Sequence, residues 1–219
     1  MNTKLIATAL ISVIIGSAGM YLALPFLHKQ GIVEQSSLPL TGSSAQRALA
    51  ATLEKLLLDN VIWSHAYIVA VLGSNADAPV ALERLVQGQE HLNLLLAPLY
   101  GHEAGLKTTS LTKEYVQGLE HVMQAAKAQD STKFQQATKQ WHATLDELTT
   151  HLSSKNPAWS REKLTDLFQE LLRLYGVQIE ARLRSNWKED ATSFEQALIQ
   201  AHIIAQELAR GIIAHKKIG

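Results

Sequence analysis

From Ser44 to the end of the chain, apolar residues recur at steps of three and four, and the strict alternation of a half-buried strand is absent. That period leaves one fold class. A helix lines up positions i, i+3, i+4 and i+7 as a stripe, and an apolar stripe must be buried against other stripes. The apolar residues are mostly Leu and Ala, with aromatics at only 6% of the chain, and Leu and Ala favour helix over sheet. The spacing predicts six helices. The first covers Ser44–Leu72, capped by Ser43 or Ser44 and stopped by Gly73-Ser74-Asn75. The second covers Asp77–Ala97, with Pro79 tolerated in its first turn and Pro98 ending it. A Gly-bounded turn from Tyr100 to Gly105 leads to the third, Ser110–Ala128. Asp130 caps the fourth, which reaches Leu152; the fifth runs from Ser160 to Ser185-Asn186; the sixth spans Trp187–His215. Short connections make consecutive helices neighbours, so the expected fold is an all-α, antiparallel (up-down) bundle of about six helices.

The first thirty residues are a different material. Leu5–Leu27 contains no charged residue and spans about 34 Å as a helix at roughly 1.5 Å per residue, enough to cross a bilayer core. Two readings follow. A signal anchor keeps the segment, with Tyr21 and Phe26 near the interface and His28-Lys29 outside; a cleavable signal peptide is cut after Gly16-Ser17-Ala18. The anchor leaves a chain with residues 1–29 in a bacterial inner membrane, a flexible tether at 30–43, and a bundle at 44–219 on the exported, periplasmic side. Signal cleavage gives a secreted bundle instead.

Composition narrows the function classes. Twenty basic residues balance 20 acidic ones, and from Ser43 onward the counts are 18 and 19. A nucleic-acid binder needs a basic surplus to displace phosphate counterions, so no nucleic-acid partner is expected. The absence of cysteine excludes disulfide scaffolds, Cys-ligated metals and thiol catalysis. Nine histidines invite a metal reading, but no His-x-x-x-His or Glu-x-x-His pair occurs, so neither metal nor cofactor is expected. His142 with Asp146, and Glu147 with His151, read as surface ion pairs one helical turn apart. Asp146-Glu147 and Glu189-Asp190 read as solvated or helix-start charge. Nucleophile-elbow, phosphate-loop and zinc-protease motifs are missing, and the enzyme candidate that remains is His102-Glu103 acting as acid/base near Tyr100.

A few polar residues interrupt the apolar stripes. Asn60 and Ser64 lie in the seam of the first helix, Gln89 in the second, Tyr115 in the third and His202 in the sixth. Each buried polar group needs a partner or costs roughly 1–3 kcal/mol, so together they suggest a shared hydrogen-bonded cluster. Such a cluster is either a structural network that sets helix register or the lining of a small polar ligand pocket. The first helix from Val61 to Leu72 is apolar nearly all round, as for a helix enclosed on every side or buried in an oligomer interface.

Several segments occur in one order: Leu56 to Trp63, Gln87 to Leu92, Pro98 to Gly105, Ala125 to Ala128, Asn156 to Trp159 and Glu180 to Leu183. This ordered set resembles a family of small, often exported bacterial helical-bundle proteins without an established biochemical role. The resemblance spans residues 46 to 214 and implies the bundle fold with an interior site. The family pattern places histidines where this chain has Asn60 and Tyr115, and near Leu171 and Gln200. Asn, Tyr, Leu and Gln are poor or non-ligands for transition metals, so the departures count against metal binding here. The chain therefore reads as an exported, membrane-tethered, non-enzymatic module with a small-ligand site or a protein partner inside or beside its bundle. Its alternative is a homo-oligomeric or protein–protein scaffold built on the apolar first helix.

Overall fold

The computed structural model describes residues 42–218, and the expected anchor at Leu5–Leu27, with all but the end of the tether, lies outside them. Six helices account for the described chain: α1 Ser44–Gly73, α2 Ala78–Tyr100, α3 His102–Lys127, α4 Ser131–Lys155, α5 Arg161–Leu183 and α6 Trp187–Lys216. Among the described residues there is no strand. The fold is an all-α helical bundle.

The helix starts follow local chemistry. Ser43 and Gln46 form a reciprocal capping box on α1, Asp130 accepts from the Lys133 amide at α4, and Ser160 accepts from the Lys163 amide at α5. Each satisfies an amide that the first turn leaves without an intrahelical partner. Lys163, which occupies the position where a capping box would carry an acid, instead reaches Glu207 of α6 at 2.6 Å.

Two boundaries depart from expectation, both at the α2–α3 reversal. Pro98 does not end α2; the helix runs two residues further, and the Gly101 amide closes it on the Ala97 carbonyl at 2.9 Å. Proline there removes one hydrogen bond, to Leu94, and Leu94 lies on an exposed face where water can serve its carbonyl. The stretch from His102 to Gly105 is already the first turn of α3. The reversal is Gly101 alone, at φ 93° and ψ 154°, a conformation essentially restricted to glycine.

Each helix packs on its successor in the chain, and α1 packs on α6 to close the set while also touching α3 and α5. α1 is the helix among those described that is long and apolar enough to cross a membrane, with mean hydropathy 1.5 over its most apolar window. Its contacts with four other helices account for that composition: Leu53, Val61, Ser64, Ile68 and Ala70 are all buried within the bundle. Leu111, Met123, Leu145, Leu164, Tyr175 and Ile204 complete a core to which all the helices contribute.

The α4–α5 connection is held from both sides. The Asn156 Nδ2 donates to the Tyr100 hydroxyl at 2.9 Å, and its Oδ1 accepts from the Ala158 amide. Trp159, buried, donates from its indole N–H to the Leu208 carbonyl of α6 at 3.2 Å. The segment Asn156 to Trp159 is thus a plug that ties three elements together.

Candidate functional site

A pocket runs into the centre of the bundle, and every helix lends it at least two residues. It holds about 70 Å³ open to the centre of a water molecule. A single water needs roughly 10–15 Å³ by that measure, so the space suits several waters or one small organic group. Its walls are mainly leucines, with Trp159 at one side and Phe168 at another. The lining residues that remain partly exposed include Leu56, Leu57 and Asn60 of α1 with Gly88 and Leu92 of α2, which places an opening between α1 and α2.

Of the five seam residues, the structure brings three to this pocket. Asn60, Gln89 and Tyr115 line it; Ser64 and His202 do not. The single shared cluster expected from the seams is replaced by three arrangements. Ser64, fully buried, hydrogen-bonds the Tyr175 hydroxyl, and that hydroxyl donates to Asn60 Oδ1 at the long distance of 3.5 Å. Gln89 turns its amide back on its own helix and donates to the Leu85 carbonyl at 2.9 Å. His202 stands outside the bundle interior. Its Nδ1 pairs with Glu54 at 2.9 Å and Gln206 donates to its Nε2 at 2.6 Å, with over a third of the side chain exposed. The seam projection misplaces it because α6 presents residues 198, 202 and 205 along an edge between α1 and solvent rather than toward the centre.

Tyr115 is the unsatisfied member. Its ring lines the pocket and leans on Trp141 with centroids 5.4 Å apart, and Trp141 in turn stacks on Tyr175. Its hydroxyl is buried with no hydrogen-bond partner. Burial, reinforced by the neighbouring Tyr175, holds the phenol well above its ordinary pKa, so it is a neutral donor at any physiological pH. Tyr175 is shifted the same way, chiefly by burial. Thr108 and Thr112 also line the pocket, but each hydroxyl donates to a carbonyl one turn back in α3.

Tyr175 had been legible only as a core aromatic on the α5 stripe, and Gly88 carried no signal beyond being a glycine inside a helix. Glycine in a helix interior costs about 0.5–1 kcal/mol relative to alanine. A neighbour explains that at Gly105, Gly118 and Gly211, where a Cβ would overlap Ala97, Trp141 and Trp159 respectively. At Gly88 a Cβ would meet nothing within 4 Å. Packing gives no reason for that glycine; the room it leaves belongs to the pocket.

A second polar cluster lies away from the pocket, among α1, α5 and α6. Asp190 is 2% exposed and binds Arg182 at 2.6 Å, while its other oxygen is 3.7 Å from His65 Nδ1. The His65 Nδ1–H donates to Gln178 Oε1 at 2.9 Å, and the imidazole stacks on Phe194. Asp190 therefore corrects the reading of Glu189-Asp190 as solvated helix-start charge: Glu189 is exposed, Asp190 is inside. The expected surface ion pairs on α4 are also absent as contacts. His151 donates from Nε2 to the Ala104 carbonyl at 3.2 Å. His142 is half-buried, with Asp146 close enough to raise its pKa a little against a larger lowering by burial.

The acid/base candidate does not assemble. His102 and Glu103 are exposed on the first turn of α3. Tyr100 accepts from Asn156, carries the Lys216 ammonium 4.4 Å from its ring centroid, and has its phenol pushed up by burial to about 12. Among the described residues no three His, Asp or Glu side chains converge as a ligand set for a metal. No family model, no curated protein and no solved structure matches this chain. Three of the four positions at which the resembled family carries histidine (60, 115 and 171) line the one pocket; the fourth, Gln200, donates instead to the Leu167 carbonyl at 2.7 Å.

Proposed function

We propose that this chain is an exported, membrane-tethered, non-enzymatic binding module whose bundle carries a small molecule in the pocket between its six helices. The observation that carries the reading is Gly88, a helix-interior glycine at the pocket opening that no neighbouring atom requires. Its cost in helix stability is offset if the space above it is occupied by a ligand. The mainly apolar walls revise the expected chemistry: the site suits an apolar body with one polar handle rather than a small polar solute. Convergence of positions 60, 115 and 171 supports the interior site that the family resemblance implies. Enclosure of α1 by four helices favours this reading over a scaffold built on that helix, since most of its apolar surface already has partners.

The test uses the full chain, extracted with its membrane segment and held in lipid nanodiscs, beside Gly88→Leu. A leucine at 88 fills open space without displacing a neighbour, so the variant melts at the same temperature or higher. Solvent extraction followed by mass spectrometry should release a bound small molecule from the native chain and little or none from Gly88→Leu. Equal recovery from both, or binding of nothing by either across an apolar compound library, overturns the reading.

A further inference from the structure

The pocket's polar groups restrict what its occupant can be, and this step rests on the reading of the pocket as a binding site. None of the lining residues is charged: the set holds no Asp, Glu, Lys, Arg or His. An ionised group brought among leucines without a counter-charge costs several kcal/mol, so carboxylates, phosphates and ammonium groups are disfavoured in the interior. The polar contribution comes from neutral groups at one side. Asn60 uses its Oδ1 to accept from Tyr175, which leaves the Nδ2 amine as a donor. The Tyr115 hydroxyl, on a side chain 7% exposed, has no partner inside the protein, and it is near enough to Tyr175 for the two phenols to interact. Two donors near one another, with the nearest acceptor already taken, ask for an oxygen with two lone pairs.

We infer that the pocket takes an uncharged, largely apolar molecule carrying a carbonyl-type oxygen, which accepts hydrogen bonds from Asn60 Nδ2 and the Tyr115 hydroxyl while its hydrocarbon part packs against the leucines, Trp159 and Phe168. Ketones, quinones, esters and amides of modest size share this chemistry; free acids and amines do not. The Tyr115 hydroxyl is a buried donor with nothing to donate to, and the ligand oxygen is the partner that removes its desolvation penalty.

Three probes of similar size separate the alternatives on the full chain in nanodiscs: acetophenone, its hydrocarbon counterpart ethylbenzene, and the charged benzoate. The expected order of affinity by titration calorimetry is acetophenone about tenfold above ethylbenzene, with benzoate undetected. In Tyr115→Phe and Asn60→Leu the ketone preference shrinks, and in the double variant it vanishes while ethylbenzene still binds. Tyr115→Phe should melt no lower than the native chain, because it removes an unpaired hydroxyl, so folding and binding are read separately. Benzoate binding as well as the ketone, or a ketone preference that survives the double variant, overturns the ligand class and leaves the pocket standing. Failure of all three probes to bind the native chain overturns the pocket itself together with the class. A Gly88→Leu control that binds the ketone like the native chain places binding elsewhere and overturns both.

Discussion

At the scale of single residues, two helix-interior glycines make opposite predictions. Gly88 faces open space at the pocket, so Gly88→Ala should gain the helix-propensity difference of about 0.5–1 kcal/mol with nothing to offset it. Gly118 lies under the face of Trp141, a buried indole held between Tyr115 and Tyr175. A methyl group there has to displace that stack, and overpacking of this kind costs roughly 1–3 kcal/mol, more than the propensity gain. Urea unfolding should therefore move the midpoint up for Gly88→Ala and down for Gly118→Ala. A loss of stability in Gly88→Ala would mean that the helix already closes over that position, and the case for a reserved space would fall with it.

At the scale of elements, α1, α5 and α6 are braced by a buried charge. Arg182 and Asp190 sit on either side of the α5–α6 turn, Asp190 leans toward His65 of α1, and the guanidinium lies over Trp187. Removing one partner strands the other. Asp190→Ala should cost toward the lower end of roughly 3–5 kcal/mol, because Arg182 keeps some contact with water. Adding Arg182→Met to it should restore part of the loss, whereas an unchanged midpoint in the single variant would show that the pair contributes nothing. This brace shows where sequence reasoning stops. The stripes of α4 and α5 were legible because Phe134, Trp141, Leu145, Leu148 and Leu152, like Leu164, Leu171 and Ile179, repeat at helical spacing and are buried as that spacing requires. The period says which residues share a face, but not how far α6 is rolled about its own axis. One helix rolled by part of a turn puts Asp190 inside and His202 at the edge, which reverses the expectation for both. The α2–α3 reversal failed for a local reason: two glycines and a proline within eight residues look like a loop, yet one of those glycines is where α3 packs closely on α2. Asn60, Gln89 and Tyr115 were legible as seam residues, while the cavity joining them depends on the absence of a side chain at position 88, which no periodicity reveals.

At the scale of the whole molecule, the bundle's response to acid follows from where its histidines lie. Burial holds His142 below its ordinary pKa against a smaller upward pull from Asp146. Burial also lowers His151, helped by Lys155 and Lys107 and opposed by the bond to the Ala104 carbonyl. In the unfolded chain both imidazoles titrate near 6.5. Below that value the unfolded chain binds more protons than the folded one, so stability is full above about pH 6.5 and falls as the pH drops through the depressed folded values. The carboxylates that gain partners on folding act lower down. Glu90, bonded to Lys113, and Asp130, capping α4, are held below their ordinary values, so their contribution is present above the usual carboxylate range and is lost only below about pH 4. Two windows result, and they can be separated. The urea midpoint of the full chain should decline between pH 7 and pH 5, flatten, and decline again toward pH 3. In the double variant His142→Gln, His151→Gln the upper decline should largely vanish while the lower one persists. A native midpoint that is level from pH 7 to pH 5 would show that neither histidine keeps a depressed pKa in the folded bundle. For a bundle facing the outside of the cell, as proposed, that upper window spans pH values set by the medium. Ligand carriage should then weaken with acid only as far as folding does, because none of the residues lining the pocket titrates in that range.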